Sequence, residues 1–155
     1  MCAVKNLSLS EEHLHDHFDN SDGLPALSVM PASLIIEGMA QTAGLLVGSV
    51  NNFKEKVILA KIQSVELNED AYPGQCLRYN AEIDRLDTAG ASTTGMVSRL
   101  DHRDNVWREI GQINLMFSHI DNNLSGRNFP EHNFVFGENF HSLLRLSGMS
   151  DLITE

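Results

Sequence analysis

The run PASLIIEGMAQTAGLLVGSV, Pro31 to Val50, constrains the fold more than any other stretch of this chain. It predicts a helix, and about twenty residues at 1.5 Å each make a rod of roughly 30 Å, long enough to cross a small domain. Pro31 suits the first turn, where a missing N–H is no loss. Leu34, Ile35, Ile36, Met39, Ala40, Ala43, Leu45, Leu46, Val47 and Val50 are spread round most of the cylinder, so burial is expected on nearly every side. Gly38, Gly44 and Gly48 each cost a helix interior about 1 kcal/mol relative to Ala. That cost predicts close approach of a sheet or another helix at those positions. Glu37 is then a lone carboxylate where charge is costly, and Gln41, one turn on, shares its face.

The rest of the chain limits what such a helix can serve. At 155 residues with 42% hydrophobic composition, it makes one domain with a real core. A formal net charge of -10 argues against a nucleic-acid surface, whose affinity rests on Lys and Arg, and against a polybasic membrane patch. Glu37, Gln41, Thr42 and Ser49 interrupt the apolar run, and no basic anchors flank it, so it is read as a core helix and not a membrane span. Cys2 and Cys76 are the only cysteines, no Cys-x-x-Cys motif occurs, and the first residues do not read as a signal peptide with a basic start and an apolar run. A reducing cytoplasm is the expected setting.

Around the helix the periodicity is that of strands. Residues 3–9 alternate as a strand before a polar, His-rich stretch, and residues 19–28 mix Asp, Asn, Ser, Gly and Pro as loops do. Residues 57–67 begin a β-type series. Pro73-Gly74 launches residues 74–86, with Leu77, Tyr79, Ala81, Ile83 and Arg85 expected on one face. Residues 91–102 and 105–120 read as a long hairpin joined by DHRDN. One early helix followed by long strands is an α+β pattern, an antiparallel sheet with the helix on one face. Residues 121–155 differ, with a loop-like start and then Phe134, Phe136, Phe140, Leu143, Leu144 and Leu146, expected to dock as core or lid through a short helix over 138–147.

Four segments, HF at 17–18, VMPASLIIEGMAQTAGLL at 29–46, YPGQCLRY at 72–79 and INLMFSHI at 113–120, resemble the (3R)-hydroxyacyl-acyl-carrier-protein dehydratases. That family's helix pattern, Met/Phe-Pro-Gly-x-Leu-x-x-Glu-Ala-x-Ala-Gln, is kept at Pro31, Leu34, Glu37, Ala40 and Gln41. The resemblance implies a hot-dog fold, a long central helix wrapped by an antiparallel β-sheet, over residues 1–120 and without the family's N-terminal helix and first strand. Residues 121–155 are then a C-terminal extension packing on the same domain. It also implies a homodimer, or a dimer-based homo-oligomer, that removes water from a 3-hydroxyacyl thioester carried on acyl carrier protein or coenzyme A. No metal or other cofactor is implied. Carried over by position, the base is His17 and the acid is Glu37 of the partner subunit, with Asp16, Phe18, Met30, Pro31, Ala32, Ser33 and Gln41 in support.

The residue types suit that chemistry independently. Elimination needs a base for a carbon acid and a proton donor for a poor leaving group, held in a dry pocket beside an apolar tunnel. Imidazole titrates near neutrality, and a carboxylic acid donates where burial keeps it protonated. Free N–H groups at the helix start, near Ala32 and Ser33, suit polarisation of a thioester carbonyl.

The chain also departs from the family. Asp16 stands where Gly is usual, Ala32 replaces the Gly after the helix Pro, and Asp19-Asn20 opens a longer loop after His17. The stretch SVELNEDAYPG, with Glu66, Glu69 and Asp70, would repel an acidic carrier, leaving coenzyme A or a carrier docked through Lys54, Lys56, Arg99 or Arg103. The rival readings are an acyl thioesterase, with Glu37 activating water, and an inert acyl-binding or scaffold domain.

Overall fold

The computed structural model describes the chain apart from residues 17–19, 22, 24, 121–122, 125–126 and 153–155, and gives the backbone alone at 15, 16, 123, 124, 127, 128 and 152. Its elements in order are β1 (Cys2–Asn6), α1 (His13–Asp16), α2 (Ala32–Val50), β2 (Lys56–Leu67), β3 (Cys76–Asp87), β4 (Gly90–Asp101) and β5 (Val106–Ile120). A short hairpin, β6 (Asn123–Leu124) and β7 (Arg127–Asn128), α3 (Glu138–Leu146) and a 3-10 turn at Ser150–Leu152 follow. The five long strands form one antiparallel sheet in the order β1-β3-β4-β5-β2, cupped around α2.

Alternation produces the cup. Tyr79 pairs with Val97, Ala81 with Gly95 and Gly95 with Ile113, while Thr93 pairs with Leu115 and Ala91 with Phe117. These residues turn the same way and are buried, except for the glycine, which carries no side chain. Against them α2 presses Ile35, Met39, Ala43 and Val47, all buried. Full burial of a side chain such as Ile35 or Met39 stabilises by about 1.5–3 kcal/mol. The expected row on β3 ends at Ile83, because an irregularity between Ile83 and Arg85 breaks the register against β4. Arg85 is therefore turned out to solvent and pairs with Asp87 at 3.1 Å.

The glycines of α2 mark where the helix is closest to its neighbours. A Cβ on Gly38 would stand 2.6 Å from the Tyr79 ring, and one on Gly48 2.6 Å from the Phe136 ring. The helix lies at a height over the sheet that no other residue at those positions allows. It is also long and apolar enough to cross a bilayer, but its most apolar face is taken up by the sheet.

That burial is one-sided, which departs from the expectation of a helix buried nearly all round. Ala32, Ser33, Glu37, Gln41 and Val50 are exposed, and Leu34, Ile36, Ala40, Leu45 and Leu46 are half-buried along the flanks. The sheet of one chain covers a single face, and the remaining apolar residues of α2 form an open flank.

The chain after β5 returns to the far end of α2. Phe53 follows the helix in the left-handed region at φ 58, a conformation costly for a bulky residue. Phe136 and Phe140 hold it, with ring centroids 5.0 Å from Phe53 in each case and 5.1 Å from one another. Asn133 adds polar ties, its Nδ2 donating to the carbonyls of Phe53 and Glu55 at 2.9 and 3.2 Å. Lys56, buried at the start of β2, donates from Nζ to the Pro130 carbonyl at 2.6 Å. Phe134 does not join this cluster; it is exposed and stacks on Phe129.

Candidate functional site

Glu37 and Gln41 stand one helical turn apart on the open flank of α2, and Gln41 Nε2 donates to Glu37 Oε1 at 2.9 Å. This is the i, i+4 contact that the spacing predicts. The amide fixes one carboxylate oxygen and leaves the other toward solvent. Directly behind, on the sheet side of Gly38, lies Tyr79, whose buried hydroxyl has no hydrogen-bond partner among the described residues. Burial pushes this phenol up to about 12.

The pair sits at one end of an open groove of about 470 Å³. Its helix side is the stripe Glu37, Ala40, Gln41, Gly44 and Leu45, the i, i+3, i+4, i+7, i+8 positions of one face. Opposite lie Val57 and Leu59 of β2 and Phe117 of β5. Phe136, Phe140 and Leu143, with Val135, complete the lining from the C-terminal segment. Among the described residues Glu37 and Gln41 are its only side chains with polar groups, so the groove is polar at one end and apolar along the rest.

The start of α2 is built differently. Met30 and Pro31 are buried, and the Met30 N–H donates to the Ala71 carbonyl at 2.9 Å, tying the helix entry to the loop before β3. No side chain caps the helix at Pro31. Ala32 and Ser33 are exposed beside the first turn.

The other half of the expected constellation is reached only in part. His17 and Phe18 lie outside the described residues, and Asp16 closes α1 with its backbone alone described. The approach to them is well anchored. Leu14 of α1 is buried in the core cluster. Glu11, just before α1, accepts from Lys5 Nζ at 2.6 Å and from the Ser8 N–H at 3.0 Å, which hold its carboxyl below the usual range. Among the described residues no group of three or more His, Cys, Asp or Glu side chains is placed to hold a metal.

Sequence reasoning found Glu37 and Gln41 but not the groove beside them. Its one local signal is the pair of small residues, Ala40 and Gly44, one and two turns beyond the carboxylate. Phe136 and Phe140, expected only to pack, both pack and line the groove. Of the cations expected to receive a carrier, Lys56 is buried and bonded, and Arg99 is engaged by Glu69 at 2.6 Å and the Asp70 carbonyl at 2.5 Å. Lys54 and Arg103 remain exposed.

A long helix cupped by a five-stranded antiparallel sheet, with a carboxylate on its open flank, defines a hot-dog domain. The chain belongs to the FabA-like domain family, whose model matches residues 1–104. It is 35% identical over 92 residues to a 3-hydroxyacyl-[acyl-carrier-protein] dehydratase, FabZ, of Fusobacterium nucleatum, a match covering 59% of this chain and 60% of the relative. The FabZ of Granulibacter bethesdensis is 33% identical over 108 residues, covering 68% of this chain and 51% of its own. The chain thus spans between half and two thirds of these relatives. Among solved structures, a hexameric broad-specificity acyl-coenzyme A thioesterase aligns over 96% of both chains at TM-score 0.61 and 14% identity. An acyl-CoA hydrolase from Staphylococcus aureus in complex with butyryl coenzyme A aligns over 84% of this chain and 71% of its own, with TM-score 0.61 and 14% identity. At these identities the likeness is one of fold.

Proposed function

We propose that this chain is a dehydratase acting on 3-hydroxyacyl thioesters, converting them to trans-2-enoyl thioesters in fatty-acid-type metabolism. The observation that carries the reading is the Glu37–Gln41 pair at the mouth of an apolar groove, on a helix that keeps the family's pattern. The FabZ names of its relatives support the same chemistry.

In the proposed reaction His17 removes a proton from the carbon next to the thioester carbonyl. Glu37 gives a proton to the hydroxyl on the following carbon, which leaves as water as the double bond forms. Gln41 holds the carboxyl by its bonded oxygen. Met30 and Pro31 fix the entry of α2, so that the backbone N–H groups near Ala32 and Ser33 face the thioester carbonyl. Phe18 and Asp16 flank the base. The residues invoked call for no metal or other cofactor.

The proposed assembly is a homodimer formed edge to edge along β2. Among the described residues this strand pairs only with β5, and its other edge is long and open, with Leu59 40% and Ile62 45% exposed. Because Val57 and Leu59 also line the groove, a second copy there would cover the flank that bears Glu37. That cover would supply the desolvation absent from the single chain, and Glu37 would serve the His17 of the partner. Hexameric assembly of a thioesterase with this fold supports an oligomer built on such dimers. Both cysteines are free, which supports a reducing, cytoplasmic setting.

The test is to follow enoyl absorbance with 3-hydroxybutyryl and 3-hydroxydecanoyl thioesters of coenzyme A and of acyl carrier protein. Turnover is expected, with a loss of roughly 10²–10⁴-fold in Glu37→Gln. That variant keeps an oxygen for Gln41 to donate to. Free thiol released without enoyl product would assign a thioesterase instead. No turnover of any thioester, with acyl binding unaffected by Glu37→Gln, would reduce the domain to an acyl-binding scaffold.

A further inference from the structure

The far end of the groove is made by residues beyond the 1–104 matched to the family. Following α2 from its polar mouth, the trough passes Ala40 and then Gly44, where a Cβ would lie 3.4 Å from Phe117. It continues beside Leu45. One turn on, Phe136 closes over Gly48, so near that no Cβ fits between them. From Glu37 to Leu45 the helix rises about 12 Å. Phe140 and Leu143 stand beside this stop, on one face of α3.

We infer that the C-terminal segment from Val135 to Leu143 is an acyl-chain gauge: it ends the groove that runs from Glu37 and so sets the length of chain the site accepts. This rests on the dehydratase reading for the identity of the reacting end. A thioester oriented with its hydroxyl-bearing carbon at Glu37 has an apolar path for its alkyl tail, along Ala40 and Gly44 toward Phe136 and Phe140. Among the described residues nothing polar in the lining interrupts that path. The gauge is also well supported, because Phe136 and Phe140 are locked by Phe53 and by the bonds of Asn133. A chain longer than the trough meets an aromatic cluster at its end and not a loose loop. Leu143 is 60% exposed and can be enlarged without disturbing the core.

The experiment compares 3-hydroxybutyryl and 3-hydroxydecanoyl coenzyme A in the wild type and in Leu143→Trp, with direct binding of butyryl and decanoyl coenzyme A measured by calorimetry on the same proteins. The gauge predicts that the ratio of decanoyl to butyryl kcat/KM falls at least about tenfold in the variant, because several methylenes lose their buried site. Gly44→Ala, which narrows the trough from the helix side and favours the helix, should lower the ratio in the same direction. It serves as the second variant if Leu143→Trp fails to fold. If the wild type turns over neither substrate but the variants selectively lose decanoyl binding, the gauge stands and the dehydratase reading falls. An unchanged ratio, an equal loss of both chain lengths, or no binding of either acyl group by the wild type would overturn the gauge. Dissociation of a dimer by Leu143→Trp with the ratio unchanged would also overturn it, assigning the groove to a second copy.

Discussion

Tyr79→Phe tests the packing that sets the height of α2 and hence the position of Glu37. The tyrosine is 2% exposed, and its hydroxyl has no partner among the described residues. It is pressed against the helix at Gly38, where an added Cβ would stand 2.7 Å from the oxygen, so a water has no space between them. A buried hydroxyl without a partner costs about 1–3 kcal/mol of lost hydration. Removing the oxygen also forfeits a few dispersion contacts of about 0.1–0.2 kcal/mol each. Desolvation wins, and the variant should be more stable by roughly 1 kcal/mol, a rise of about 2–4 °C in Tm for a domain of this size.

The pH dependence of the same pair of proteins supplies an independent check. In the fold burial raises the phenol from 10.0 to about 12. Between those values the unfolded chain has lost the proton that the folded chain still holds, so wild-type stability, complete below pH 10, drains as pH rises toward 12. The loss is about 1.4 kcal/mol per pH unit, roughly 3 kcal/mol in all. Tyr79→Phe lacks this term. Denaturant unfolding of both proteins at pH 8 and at about pH 11 should therefore show the advantage of the variant widening with pH. A variant less stable than the wild type at pH 8 would mean that the hydroxyl is bonded, and a constant difference across the range would refute the titration.

Other expectations concern the tail and the edge. Asn133→Ala removes two donated bonds to the carbonyls of Phe53 and Glu55 and two accepted from the N–H groups of Val135 and Phe136. At about 0.5–1.5 kcal/mol each, the loss should be roughly 2–6 kcal/mol, seen in thermal unfolding together with faster hydrogen exchange of α3. Ile62→Asp sets a charge on the open edge of β2 and should convert an edge-paired dimer to monomer in sedimentation equilibrium. A dimer that survives it pairs elsewhere.

What could be read from the sequence was what a local period carries. The face of β3 through Leu77, Tyr79 and Ala81 follows from alternation alone, and Gly38 and Gly48 of α2 follow from a cost that close packing offsets, whereas Gly44 has room for a methyl group. The Glu37–Gln41 contact follows from a spacing of four. Arg85 was misplaced because a single irregularity after Ile83 reverses which side chains face inward, and no residue type there announces it. The open flank of α2 escaped for a different reason. Leu34, Ile36, Leu45 and Leu46 are as apolar as Ile35 and Met39, and composition around a cylinder does not say which side the chain's own sheet covers. The same limit governs the groove. Its helix wall is periodic and legible, but Val57, Phe117 and Phe140 come from three elements whose sequence separations carry no period. The pairing of β2 with β5 brings Val57 beside Phe117, and Phe140 joins them because the tail returns to pack on Phe53. A site built half from a helix and half from such returns is therefore legible by halves.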